Sequence, residues 1–388
     1  MRLFVKIGLL VSLLMVSIAN ASVATKLPVE HFFKNPTYAG LQLSPNGKYI
    51  ALLSPVNDSR NIVVMETEGL KNMRAITGFD NRNVRSFFWA NDKDIVFTFD
   101  SDGNEAFSIY RVDTSKKKPK VVQLVGSQVG ASGIRSAATV HTLPDDPDHI
   151  IVQYNGRKVT APDLYKVPLN SSWSDRRGKN TKMKIIAKNP GDVQSWLLDN
   201  NGEVRGAYSQ NGLEATLHYK DAGEKDFRVL RKFNVEEEQM LPLAFDYDNK
   251  TIYVASNMGR DKQAIYKYDP VKDELGEMVF AHDEVDVTGL MMSRKKQKVI
   301  GVSYMFKYPE AVYFDKDTEK LMKGLQAAFK GKRVNITSQT DDEMLNIVMV
   351  NNDNDPGSYY LYDRKKRKMT YLVSPMDWLK PEDLVAMK

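Results

Sequence analysis

The chain has 388 residues, no cysteine, 42% apolar residues and a formal net charge of +6. The absence of cysteine excludes disulfide scaffolds, thiolate nucleophiles, zinc–thiolate and iron–sulfur sites, and lipoprotein-type acylation. The length allows one large domain or two ordinary ones, and a mean hydropathy of −0.43 fits a soluble globular body.

Residues 1–21 have the order of a secretory signal: Arg2 and Lys6, an apolar stretch over 8–18, then the small-x-small site Ala19-Asn20-Ala21. An apolar core of 11 residues is shorter than the roughly 20 that span a bilayer. Cleavage near Ala21 is therefore expected, with the mature chain periplasmic or secreted and without stable membrane insertion. Losing Arg2 and Lys6 takes the charge from +6 to +4. The basic runs at 116–118, 294–296 and 364–368 fall at turns and read as solvated hairpin tips. No nucleic-acid partner is expected.

After a lead-in over 22–37, one phrase recurs: a small apolar segment, an Asp/Asn/Gly turn, a β-rich run, a polar loop and a Tyr-rich run often ending in Asp. The first copy carries Leu43-Ser-Pro-Asn-Gly-Lys-Tyr-Ile-Ala and Asn61-Ile-Val-Val-Met. The second has Phe88-Trp-Ala-Asn-Asp and Phe107-Ser-Ile-Tyr-Arg-Val-Asp113; the third has Leu143-Pro-Asp-Asp-Pro-Asp-His and Asp163-Leu-Tyr-Lys-Val. Leu197-Leu-Asp-Asn-Asn-Gly, Ala244-Phe-Asp-Tyr-Asp-Asn, Met292-Ser-Arg-Lys-Lys and Ser338-Gln-Thr-Asp-Asp-Glu open the fourth to seventh. Seven copies spaced about 43 residues apart match four-stranded propeller blades. Asn46-Gly47, Asp102-Gly103, Asn201-Gly202 and Asn211-Gly212 supply tight hairpin turns. Helical spacing is nearly confined to 29–34 and to 318–330, where Leu321, Leu325 and Phe329 recur. The fold expected is all-β, a seven-bladed β-propeller of four-stranded antiparallel blades over 38–375, followed by a linker at 376–388. The first copy has its own innermost strand and the seventh its own outermost strand. The ring should therefore close without strand exchange.

Catalytic constellations are missing. Gly130-Ala131-Ser132-Gly133 lacks the spacing of a nucleophile elbow. The five histidines form no metal motif, and no phosphate loop or dinucleotide fingerprint occurs. No metal or cofactor is expected. Asp113, Asp221, Asp269, Asp315 and Asp363 recur at one register and read as turn chemistry. The run at 351–355 lacks the Gly and Glu of a calcium loop and reads as an acidic hairpin. The loops before each Tyr-rich strand (54–60, 100–105, 155–162, 209–214, 257–262, 305–310 and 351–357) should share one rim. Loops on a rigid scaffold are the usual place for recognition. Its candidate binding residues are Asp102, Glu105, Arg157, Glu214, Arg260 and Asp261, with Arg60 and Glu310 beside them.

As an ordered set, several phrases resemble a known family. They are Leu27-Pro-Val-Glu-His-Phe-Phe-Lys-Asn-Pro36, Leu43-Ser-Pro-Asn-Gly-Lys-Tyr-Ile-Ala51, Phe88-Trp-Ala-Asn-Asp92, Leu143-Pro-Asp-Asp-Pro-Asp-His-Ile150, Tyr253-Val-Ala-Ser-Asn257 with Gly259-Arg-Asp261, and Asp355-Pro-Gly-Ser-Tyr-Tyr-Leu-Tyr-Asp363. Together they resemble the amino-terminal propeller of exported bacterial prolyl oligopeptidase-family serine peptidases, of the dipeptidyl- and acylaminoacyl-peptidase branch. That resemblance implies a following α/β-hydrolase domain carrying Ser, Asp and His, capped by a propeller that admits short peptides. No residues of this sequence match the hydrolase motifs, so no catalytic residue is carried over.

The reading expected is a non-catalytic propeller that gates or binds peptide, with a peptide or an α/β-hydrolase domain as partner. The alternatives are an exported serine peptidase whose catalytic half is missing from the sequence, and a stand-alone periplasmic interaction propeller. A lactonase-like metal enzyme would need convergent ligands on the innermost strands, and those strands show none. If a hydrolase packs on the ring, one face should carry an apolar patch formed partly by Phe32, Phe33, Trp378 and Leu379.

Overall fold

A computed structural model of the chain describes residues 27–385, apart from 101 and 102. The expected signal segment lies outside the described residues. A four-residue helix, α1 (Glu30–Phe33), leads into blade 1: β1 (Ala39–Leu43), β2 (Tyr49–Val56), β3 (Ser59–Glu66) and β4 (Lys71–Ala75). Blade 2 is β5 (Ser86–Trp89), β6 (Asp94–Asp100), β7 (Phe107–Asp113) and β8 (Val121–Val125). A separate hairpin, β9 (Gln128–Gly130) and β10 (Gly133–Arg135), precedes blade 3. Its turn holds Ser132, the residue of the incomplete nucleophile motif.

Blade 3 is β11 (Ala137–His141), β12 (His149–Tyr154), β13 (Asp163–Pro168) and β14 (Lys184–Ala187). Blade 4 is β15 (Val193–Leu198), β16 (Val204–Asn211), β17 (Glu214–Tyr219) and β18 (Arg228–Asn234). Blade 5 is β19 (Met240–Phe245), β20 (Ile252–Ser256), β21 (Ala264–Asp269) and β22 (Glu274–Phe280). Blade 6 has three strands, β23 (Gly289–Ser293), β24 (Lys298–Met305) and β25 (Pro309–Tyr313). The helix α2 (Lys316–Ala328) follows where the other blades have a fourth strand. Blade 7 is β26 (Arg333–Gln339), β27 (Leu345–Asn352), β28 (Asp355–Asp363) and β29 (Lys368–Val373).

Every blade pairs its strands antiparallel and in chain order, giving the seven-bladed β-propeller expected. The second and third strands explain the composition. β3 is buried at six of its eight positions because blades cover both of its faces. Its run Asn61-Ile-Val-Val-Met is apolar without alternation for the same reason. Seams between blades are apolar clusters drawn from both neighbours. Leu53, Ile62 and Val64 of blade 1 meet Phe87, Trp89 and Phe97 of blade 2.

The first turns seat one blade on the next. Gly47 has φ 73°, and a Cβ there would come within 2.8 Å of Thr340 and 2.9 Å of Leu345 in blade 7. Only glycine satisfies both the left-handed backbone and the close approach. α2 forms because Asp315 caps it, accepting from Thr318 N at 2.9 Å. Lys296 and Lys298 hold that carboxylate, keeping it well below the usual range. The helix buries Leu325 against Val334, Val348 and Val350 of blade 7.

The ring closes without strand exchange. Leu41, Leu43, Ile50 and Leu52 of blade 1 pack with Ile347 and Leu361 of blade 7, and burying such a side chain contributes about 1.5–3 kcal/mol. Polar links add to the seam: Leu43 N donates to Ser338 Oγ at 3.0 Å and Asp341 N to Pro45 O at 3.0 Å.

Candidate functional site

Strand parity assigns the two faces of the ring. The chain enters β1 from the face at which the β2–β3 turn lies, and a fourth antiparallel strand returns to that same face. The lead-in, the segment after β29 and all the second-to-third-strand loops therefore share one face, called here the terminal face. The first turns of all blades lie on the opposite face.

On the terminal face the lead-in and the segment after β29 are tied together. Thr37 N donates to Pro375 O at 2.9 Å. Trp378 Nε1 donates to His31 O at 3.0 Å, and Lys34 Nζ lies 4.3 Å from the Trp378 ring centroid. Leu379 is buried, while Trp378 is half-buried. Phe32 and Phe33 are 53% and 83% exposed, and Val29 beside them is also exposed. The expected patch is thus split. Leu379 and Trp378 fasten the closing segment to the ring, and α1 leaves its apolar side chains in solvent.

The loop-rim residues also divide. Arg157 donates to Asp163 through Nε at 2.8 Å and Nη2 at 2.7 Å, and Nη2 also reaches Asn189 O at 2.8 Å. Asp163 is fully buried and further accepts from Asn189 N at 2.8 Å. This pair latches the linker from blade 3 to blade 4. Arg260 makes the equivalent reach to His282 O at 3.4 Å, with Nη1 3.5 Å from Met278 Sδ. Arg60 Nη2 donates to Asn35 Oδ1 at 3.0 Å, tying the lead-in to the rim. Glu214 pairs with Lys232 at 3.0 Å on an open surface. Asp261 pairs with the adjacent Lys262, Glu310 accepts from Tyr304 Oη at 3.2 Å, and Glu105 is exposed at φ 59°. Asp102 lies outside the described residues. The geometry therefore places Arg157 in the framework of blade 3, and leaves Glu105 and Asp261 facing solvent.

The opposite face carries a constellation that sequence reasoning missed. Arg294 of blade 6 forms an ion pair with Asp145 of blade 3 at 2.5 Å, and its other Nη lies 3.9 Å from Asp341 of blade 7. Blades 3 and 6 are not neighbours, so the pair crosses the mouth of the central channel. A cavity of about 300 Å³ lies beside it, lined by Arg294, Gln297, Gln339, Asp341 and Glu343. Burial holds the Asp341 carboxyl above its usual range; Asp92, Asp342 and Asp145 push the same way, and Arg294 opposes them. A signal was present: the third position of the first turn is Asn46, Asp92, Asp145, Asn201, Asp248 and Asp342 in six blades, but Lys295 after Arg294 in the sixth.

The recurrent aspartates serve turns. Asp113 accepts from Ser115 N, Asp269 from Val271 N and Asp363 from Lys366 N, each at 2.9 Å. Among the described residues, no group of three or more His, Asp or Glu side chains is arranged to hold a metal ion. Among them also, no helix is long and apolar enough to cross a membrane.

Known proteins place this architecture. No family model matches the chain. Dipeptidyl aminopeptidase BIII of Pseudoxanthomonas mexicana is 27% identical over 363 residues, covering 91% of this chain and 49% of that protein. Dipeptidyl peptidase family member 6 of Caenorhabditis elegans is 20% identical over 373 residues, covering 91% of this chain and 48% of that protein. This chain's homologues are dipeptidyl aminopeptidase and prolyl oligopeptidase family members, matched over about 90% of its length. The chain corresponds to the propeller-like N-terminal part and spans about half the length of the curated relatives it matches. A solved prolyl endopeptidase shares the fold, with a TM-score of 0.58 at 13% identity over 90% of this chain and 51% of that one.

Proposed function

We propose that this propeller gates access to a peptide-hydrolysing α/β-hydrolase unit docked on its terminal face, and that it is not itself the catalyst. The observation that carries the reading is the joining of the lead-in and the segment after β29 on one face, with the solvent-exposed side chains of α1. Exposed Phe32 and Phe33 beside a fixed Trp378 form an apolar area of the kind that marks an interaction surface. Relatives of twice this length supply the second argument, since their propellers accompany a catalytic hydrolase domain.

A hydrolase seated there would be reached through the central channel or around the rim. The channel would be narrowed at its far mouth by Arg294 and Asp145. Short peptides would pass and folded proteins would not. The export signal read from residues 1–21 would place this work in a periplasm or outside the cell.

Two measurements test the reading. Purified chain should release no p-nitroaniline from dipeptidyl p-nitroanilides and should take no label from a serine-directed probe. Titration with a hydrolase unit of a related peptidase should give saturable binding that Phe32→Ser with Phe33→Ser abolishes. Probe labelling of the pure chain, or binding indifferent to those substitutions, overturns the proposal.

A further inference from the structure

Blade 6 ends on an open strand. In six blades the third strand is covered by a fourth; in blade 6 the chain leaves β25 for α2, which packs onto blade 7. The consequence is visible in burial. Third strands β3, β7, β13, β17 and β21 each bury two or more residues, whereas Pro309, Glu310 and Ala311 of β25 are all exposed. Met305, Tyr308 and Phe314 around it are 61%, 53% and 42% exposed.

The free edge has a definite hydrogen-bonding pattern. Phe314 N donates inward to Ile300 O at 2.8 Å. In an antiparallel ladder the inward and outward residues alternate. Val312 and Glu310 therefore face β24, and Tyr313, Ala311 and Pro309 present their backbone groups outward. An unpaired edge of this kind templates pairing with another strand.

We propose that β25 is a self-association edge, at which two copies of this chain pair antiparallel about a two-fold axis at Ala311. The sequence is self-complementary in that register. The two Ala311 residues exchange both backbone hydrogen bonds, and Tyr313 N–H of each copy donates to Pro309 O of the other. Pro309 has no N–H to offer, and this register asks it only for a carbonyl. Tyr308 of one copy falls opposite Phe314 of the other, at a non-hydrogen-bonded position where side chains come closest. Two cross-strand aromatic pairs result, a favoured arrangement in sheets. A symmetric contact of this sort closes at a dimer.

Sedimentation across a concentration series tests the proposal on the purified chain. The unaltered protein should show a reversible monomer–dimer equilibrium. Ala311→Pro removes an outward N–H that the blade itself does not use, and should raise the dimer dissociation constant about tenfold or more, with the far-ultraviolet spectrum unchanged. The chain has no cysteine, so Ala311→Cys introduces a single thiol. Paired Ala311 residues would sit about 5.5 Å apart between Cα atoms, within disulfide reach. Oxidation should then trap a dimer, and Leu213→Cys, on an exposed turn of blade 4, should not. A protein that stays monomeric at every concentration overturns the proposal. A dimer that survives Ala311→Pro in a folded protein, or equal cross-linking at 213 and 311, overturns it as well.

Discussion

Arg294 of blade 6 reaches across the channel mouth to Asp145 of blade 3, a contact between residues 149 positions apart on blades that are not neighbours. Both side chains are partly solvated, 43% and 73% exposed. Exposed pairs of this kind contribute roughly 0–1 kcal/mol. In the proposed gate the bridge would therefore act as an obstruction more than a brace. Arg294→Met should leave the melting temperature almost unchanged, since about 1 kcal/mol moves a chain of this size by a few degrees at most. In a complex with a hydrolase unit the same change should raise turnover of longer peptides more than of dipeptides. Raised salt should act on the unaltered protein in the same direction. A large loss of stability in Arg294→Met would contradict the assignment.

The latch of blade 3 gives an asymmetric prediction. Asp163 is fully buried, and its partner Arg157 keeps 43% of its side-chain surface in water. When Asp163→Ala removes the acceptor, Arg157 can turn to solvent, but Asn189 N–H loses its partner inside the protein. An orphaned buried donor costs about 1–3 kcal/mol. Arg157→Ala instead strands a carboxylate in the interior, the costlier outcome. Urea midpoints should fall in the order unaltered, Asp163→Ala, Arg157→Ala, and the reverse order would show that the pair is not a latch.

These two relationships show what the sequence could and could not disclose. The blade count was legible because each blade repeats one local pattern: Asn-Gly or Asp-containing turns, apolar runs buried on both faces, and a Tyr-rich strand closed by a turn aspartate such as Asp269. The helix in blade 6 was legible because Leu321 and Leu325 fall at helical spacing. The rim arginines were visible as charges, but their partners were not. Asp163 lies only six residues from Arg157, yet the residue that makes the pair a latch is Asn189, brought in by the blade linker. Arg294 was hidden further. It sits in a basic run that reads as a hairpin tip, and its partner depends on the ring's diameter, a property no local pattern encodes.

Two half-buried histidines set a pH dependence. His141 Nδ1 accepts from Leu143 N at 3.0 Å, and His218 Nε2 shares a 2.9 Å hydrogen bond with Ser209 Oγ. Burial lowers the pKa of both; Asp199 partly offsets this at His141, and at His218 Asp192 offsets it while Lys232 adds to it. The unfolded chain then binds protons more readily than the folded one. Stability from these groups is complete above the unfolded value of about 6.5 and is lost as pH falls below it towards their lowered folded values. Urea midpoints should drop between pH 7.5 and 5.5, and His218→Gln should flatten that slope. A slope unchanged in His218→Gln would remove this residue from the account.

The helix α1 supplies the last prediction, because its apolar side chains carry no structural load in the ring. None of its residues is buried, and Phe33 is 83% exposed. Surface substitutions away from core packing usually change stability by about 0.5 kcal/mol or less. Phe32→Ser with Phe33→Ser should therefore leave the thermal midpoint within a degree or two, while lowering binding of a hydrophobic dye. By contrast, Trp378→Ala removes the donor to His31 O and the ring beneath Lys34. That change frees the closing segment from the lead-in and should speed proteolysis after residue 375 without unfolding the blades. If the double serine variant lost several degrees instead, α1 would be part of the folded framework, and the terminal face would offer no apolar surface for a hydrolase.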